Sequence, residues 1–131
     1  MTSQAAVAGA PVPGQHPCHI DSNFAGQVRV VRVTGRLDWV TAGELRDLLR
    51  DECSNPAVVV DLRATTGIDS AGVGILLAAT ARMRERGQQL AFVATEPFLV
   101  GVLCSTGLEM VVPIVDTETE ALSRFDAAVR S

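Results

Sequence analysis

The sequence predicts an α/β fold in which a sheet of four to five strands is backed by helices. Three observations carry this. Short β-branched runs alternate along the chain with longer stretches of helical period. One of those runs, Ala57-Val58-Val59-Val60, is continuously apolar, the pattern of a strand covered on both faces. Helix start and stop residues fall between the runs, at Thr41, Ser70, Gly87, Gly107 and Thr117. Strands that alternate with helices bury their apolar faces by stacking the helices on the sheet, which makes an α/β sandwich.

Residues 1–22 are rich in Ala, Gly, Pro and Gln and show no apolar period, so they are expected to form a disordered N-terminal tail before a single domain over 23–131. Gln27 to Val33 alternates as a strand does, and Thr34-Gly35-Arg36-Leu37-Asp38 is expected to break it. Thr41 with Glu44 three residues on has the spacing of a capping box, and Leu45, Leu48 and Leu49 give the helix that follows a narrow apolar stripe. Pro56, after Cys53-Ser54-Asn55, stops that helix.

The run at 57–60 is the next strand. A helix from Ser70 to about Arg86 follows, closed by Gly87. Within it Val73, Leu76, Leu77 and Thr80 are expected on the sheet side. Ala71, Gly74, Ile75 and Ala78 are expected to face outward, a small apolar face that a partner could approach closely. Leu90 to Val93 reads as a strand, Pro97 to Gly107 as a short helix, Met110-Val111-Val112 as a strand, and Thr117 to Val129 as a last helix opened by Thr117 and Glu120. No internal repeat interrupts this order.

Composition excludes several function classes. At 131 residues and 47% hydrophobic, the chain suits one domain with a real core. It carries 11 Lys and Arg against 15 Asp and Glu, a net charge of -4, which argues against direct nucleic-acid binding because phosphate backbones are held by clustered cations. Cys18, Cys53 and Cys104 are odd in number and widely spaced, so a reducing cytoplasm is expected rather than a disulfide framework. Cys53 and Cys104 read as small core residues. The apolar run from Ala71 to Ala81 is too short for a bilayer, which needs about 20 residues. The first residues lack the pattern of a secretory signal.

Catalytic signals are absent. The chain has no phosphate-binding G-x-x-x-x-G-K-[ST] loop and no kinase segments. Both histidines, His16 and His19, fall in the expected tail, so no Ser-His-Asp set is expected in the domain. His16, Cys18 and His19 lack a second ligand cluster, so no metal site is expected, and no cofactor.

Three segments stand in a specific order. They are Thr34-Gly35-Arg36-Leu37-Asp38 with Thr41-Ala42; Val58 to Leu62 followed by Gly67-Ile68-Asp69-Ser70-Ala71-Gly72-Val73-Gly74; and Ser105-Thr106-Gly107-Leu108. Together they resemble the STAS domain of bacterial anti-sigma factor antagonists, over roughly residues 24–130. The resemblance implies a mixed sheet. It also implies that Ser70, directly after Asp69, accepts a phosphate from a partner that is both anti-sigma factor and serine kinase. The unmodified form would bind that partner and release the sigma factor, and a serine phosphatase would restore it. Asp38 would lie close to the switch. The position after the acceptor is often Ser or Thr in that family, and here it is Ala71.

The local chemistry agrees with this implication. A helix N-terminus presents unpaired N–H groups and a positive dipole end, which accommodate a phosphate. On this reading Ser70 is the modification site. Asp38, Asp69, Ala71, Gly72, Gly74, Ile75 and Ala78 form the partner surface. Read from local sequence alone, Ser70 is a helix cap and Asp38 a turn residue. The rival functions are a STAS scaffold or ligand sensor without phosphorylation, and a relative of the STAS domains of anion transporters.

Overall fold

The computed structural model describes residues 19–51 and 56–125. The chain runs β1 (His19–Ala25), β2 (Val28–Leu37), α1 (Ala42–Asp51), β3 (Ala57–Asp61), β4 (Thr65–Ile68), α2 (Ser70–Glu85), β5 (Gln89–Val93), α3 (Pro97–Ser105), a 3-10 turn at Leu108–Met110, β6 (Ile114–Val115) and α4 (Glu118–Ser123). The sheet is mixed and six-stranded, ordered β1-β2-β3-β5-β6, with β4 pairing to β2 off that path. β1 and β2 form an antiparallel hairpin, turned at Gly26 with φ of +65°, and every other pairing is parallel.

Strand parity divides the core into two layers. Val31 and Val33 of β2, Val58 and Val60 of β3, and Phe92 of β5 point into the larger layer, closed by Leu45 and Leu49 of α1, Leu76 and Met83 of α2, and Leu99 and Leu103 of α3. Val28, Val30, Ala57, Val59, Ala91 and Val93 point to the other side, where Ala121 and Phe125 at the α4 end cover them. The continuous run at 57–60 is therefore buried on both faces, as its composition requires.

Several expectations change. His19–Ser22, expected in the tail, belong to β1, so the structured part begins before residue 23. The count of four to five strands rises to six because β1 and β4 were not legible as strands. Gly35 does not end β2. It takes φ of +94°, the register shifts between Gly35 and Arg36, and the strand continues to Leu37. That bulge lets one long strand serve two partners in turn, β3 along Val28–Arg32 and β4 along Gly35–Leu37. Met110–Val112 is not a strand but the end of the 3-10 turn that follows Gly107, and β6 begins only at Ile114.

The helix signals hold in part. Gly87 takes φ of +71° just past α2, and its N–H donates to the Arg84 carbonyl. Thr117 caps α4, its hydroxyl accepting from Glu120 N at 3.0 Å. Thr41 does precede α1, but its hydroxyl turns back to Asp38 instead of forward to Glu44. α4 ends at Ser123, with Arg124 as its cap and Phe125 already outside the helix, short of the Val129 expected. The expected end of the first helix at Cys53-Ser54-Asn55 lies outside the described residues, as do His16, Cys18, Cys53 and Val129.

Candidate functional site

The site grows out of the joint between β4 and α2. Asp69 leaves β4 in extended conformation, with φ of -111° and ψ of -176°, and caps α2. Its Oδ1 accepts from Gly72 N at 3.1 Å and its Oδ2 accepts from Trp39 N at 3.0 Å. Its own N–H donates to the Leu37 carbonyl at 3.2 Å. One residue thus closes the helix and laces it to the segment after β2.

Capping by Asp69 leaves Ser70 as the first helical residue. Ser70 is exposed, and among the described residues its hydroxyl has no hydrogen-bond partner. The local reading of Ser70 as the cap is therefore corrected. A group added to its oxygen would break no hydrogen bond of the fold.

Asp38 organises the turn between β2 and α1. Its Oδ1 accepts from Val40 N at 3.0 Å, from Thr41 N at 3.2 Å and from the Thr41 hydroxyl at 3.2 Å, and Arg36 Nε lies 3.8 Å from its Oδ2. The Thr41 N–H foremost, joined by Val40, the Thr41 hydroxyl and Arg36, holds its carboxyl below the usual value against the opposing effect of burial. Asp38 stands between Leu37 and Trp39, both of which are hydrogen-bonded to Asp69, so the turn and the helix start form one unit.

The faces of α2 are turned from those expected. Gly72, Leu76, Ala79, Thr80 and Met83 are its buried residues. Gly72 is not a surface residue: a Cβ there would stand 2.8 Å from both the Leu37 carbonyl oxygen and Ile68 Cγ1. Its lack of a side chain lets the helix start lie against β2, so Gly72 sits beneath the helix and not on its outer face. Ile75 is half-buried and packs on the larger core layer, and Ala71 is half-buried. Leu77, expected in the core, is 38% exposed. It lines a shallow groove with Ala81, Leu108 and Val111. Gly74 and Ala78 do face outward, and nothing lies within 4 Å of where a Gly74 Cβ would be. The outer ridge is thus Ser70, Gly74, Ala78 and Ala81, with Leu77 at one flank and Ile75 at the other.

Two further residues were not singled out from the sequence. Trp39 is 76% exposed and Val40 64% exposed, in the turn that Asp69 holds. Their signal was present as two large apolar residues between a strand and a helix with no period to assign them to either.

Among the described residues no three His, Cys, Asp or Glu side chains gather as a metal ligand set. The Cys104 thiol is half-buried and pushed up by its hydrogen bond to Glu109 and by burial, away from thiolate reactivity. No described helix is long and apolar enough to cross a membrane.

A family profile described as "Mlab, STAS domain" matches residues 20–115. The chain is 28% identical over 104 residues to the anti-sigma F factor antagonist of Paenibacillus polymyxa, covering 76% of this chain and 87% of that protein. Its fold is similar to the crystal structure of an anti-sigma factor antagonist from Mycobacterium paratuberculosis, with TM-score 0.76, 29% identity, and 88% and 96% of the two chains covered. The Bacillus cell fate determinant SpoIIAA in its phosphorylated form shares the fold at TM-score 0.67 and 19% identity, over 81% of this chain and 98% of that one.

Proposed function

The chain belongs to the STAS domain family, and from that premise we propose that it is an anti-sigma factor antagonist switched by phosphorylation of Ser70. Unmodified, it binds an anti-sigma factor with serine kinase activity and so frees the sigma factor. The names of its relatives from Paenibacillus polymyxa and Mycobacterium paratuberculosis support the class of partner. The observation that carries the switch is the division of labour at the start of α2: Asp69 does the capping, and the Ser70 hydroxyl is exposed and unengaged among the described residues.

In the modification step the kinase moves the γ-phosphoryl group of ATP onto Ser70 Oγ, with ADP leaving and the hydroxyl proton lost. A serine phosphatase reverses it by hydrolysis. The phosphate adds about 1.5 to 2 negative charges beside Asp69. The helix dipole and its N–H groups tolerate that charge, so the domain stays folded. A partner packed on the Gly74 and Ala78 ridge would have to desolvate it. Burying an unpaired charge costs several kcal/mol, and about 1.4 kcal/mol is tenfold in affinity, so phosphorylation should weaken binding by two orders of magnitude or more. The protein works in the cytoplasm as a binding module, not an enzyme, and touches neither nucleic acid nor membrane.

Two alternative hydroxyls are already engaged. Thr65 is buried and donates to the Val33 carbonyl at 3.0 Å, and Ser105 donates to the Val102 carbonyl at 2.7 Å. Incubation with the cognate anti-sigma kinase and ATP, followed by intact mass, should show one phosphate on the wild type and none on Ser70→Ala. Phosphate mapped to Thr65, Thr66 or Ser105 would refute the assignment. Tight binding of the kinase with no phosphate transferred would favour a scaffold.

A further inference from the structure

Trp39 is the sole tryptophan of the chain, and it stands in solvent beside Val40. Exposed single apolar residues are ordinary on protein surfaces, but this pair is placed by a specific device. The Trp39 N–H is held by Asp69 Oδ2 at 3.0 Å, while Asp69 Oδ1 caps α2 one residue before Ser70. Asp38 Oδ1 fixes the Val40 N–H from the other side at 3.0 Å. The anchor is therefore held to the same carboxylate that starts the switch helix, one residue before the exposed Ser70.

We propose that Trp39, with Val40, is the apolar anchor that inserts into a pocket of the anti-sigma factor, and that Asp69 is the positioning residue that registers this anchor against Ser70. This rests on the reading of the chain as an anti-sigma factor antagonist. Continuity with the acceptor selects the occupant: a partner that must reach Ser70 Oγ to phosphorylate it also covers the turn hydrogen-bonded to the residue next door. A large aromatic side chain beside a flat, small-residue surface has the form of an interface hot spot, in which one buried anchor carries much of the affinity and its neighbours exclude water. The arrangement also gives phosphorylation its leverage, because charge added at Ser70 falls within the rim that keeps the anchor dry.

The test uses the full chain and its cognate anti-sigma factor. Trp39→Ala should melt as the wild type does, since its side chain is exposed, yet bind at least about thirtyfold more weakly, the factor corresponding to 2 kcal/mol. Phe24→Ala removes another exposed aromatic, at the opposite end of β2, and should bind as the wild type. Asp69→Asn keeps one oxygen for the cap but turns an amide N–H₂ towards Trp39 N, so it should leave the melting temperature nearly unchanged while weakening binding. With 5-fluorotryptophan incorporated, the single 19F resonance should move on adding the anti-sigma factor, and in free Asp69→Asn it should narrow as the turn is released.

A Trp39→Ala affinity within about threefold of wild type, or a 19F resonance unmoved by saturating partner, overturns the anchor while leaving the functional reading intact. If the wild-type chain binds no anti-sigma factor, the functional reading fails and the anchor falls with it. An Asp69→Asn chain that binds normally overturns the positioning role.

Discussion

At the scale of single residues, two glycines two positions apart carry opposite meanings. Gly72 is required by packing, because any Cβ would strike the Leu37 carbonyl, Ile68 and Leu37 Cγ at 2.8 to 3.0 Å. Gly72→Ala should lower stability by about 1–3 kcal/mol, the usual range for overpacking a tight site. Gly74 faces open space at a helical position. Gly74→Ala should raise stability by about 0.5–1 kcal/mol, because alanine loses less conformational freedom on entering a helix. Urea unfolding of the two variants decides both, and opposite signs are the expected outcome. A destabilised Gly74→Ala would mean that the outer face of α2 is already covered within the chain. A stabilising change left unmade on that face fits a surface kept low for the close approach of a partner.

At the scale of elements, the far side of the sheet is tied together by charge. Arg32 of β2 grips Glu118 of α4 through two contacts of 2.7 Å, and Arg63 pairs with Asp61 at the end of β3 at 2.7 Å while lying 3.5 Å from Glu118. Asp61 is only 5% exposed. Burial pushes its carboxyl up, but the side-chain hydrogen bond from Arg63, the neighbouring Glu118 carboxyl, and the Arg63 N–H and positive charge together outweigh that and hold it below its usual 3.8. A carboxylate depressed on folding stabilises the fold fully above its unfolded value, and that stability is lost as pH falls through the lowered one. Stability should thus decline below about pH 3.8, and Asp61→Asn should make the decline shallower. The midpoint of urea unfolding followed against pH reads this directly. Asp38, also depressed, keeps part of the acid sensitivity in that variant. At the start of the same helix, Thr117→Ala removes the acceptor for Glu120 N and should cost about 1 kcal/mol.

At the scale of the whole molecule, the switch proposed at Ser70 would leave the fold alone and change its surface. The chain already carries a net charge of -4, and both core layers lie below an α2 ridge that contributes no large side chain. Ser70→Asp adds one charge where a phosphate adds nearly two, at a helix end that favours it. The variant should keep the wild-type circular dichroism and a thermal midpoint within a few degrees, about what 1 kcal/mol produces at this size. It should also lose part of the affinity that phosphorylation removes. Unfolding of Ser70→Asp, or equal binding by the phosphorylated and unmodified forms, would rule out blocking as the mechanism.

What the sequence determined by itself was local or carried by order along the chain. The apolar run at 57–60 suited a strand buried on both faces, Gly87 suited the close of a helix, and Asp69-Ser70 stood at a helix start within three ordered segments that resemble a family. What only the tertiary structure decided depended on neighbours distant in sequence. β4 has four residues and exists because β2 outruns β3 and offers it an edge. Gly35 looked like a stop, but pairing on both sides makes it a bulge. β1 alternates between exposed and half-buried positions, too weak an apolar signal to stand out from the segment before it. α2 is apolar nearly all round in its first turns, so its period could not say which side meets the sheet. Packing of Ile75 on the larger core layer, with Leu77 left in the groove beside Leu108 and Val111, goes with that rotation. Trp39 follows the same rule: a side chain's character is written in the sequence, but whether anything covers it is decided by what the rest of the chain leaves uncovered.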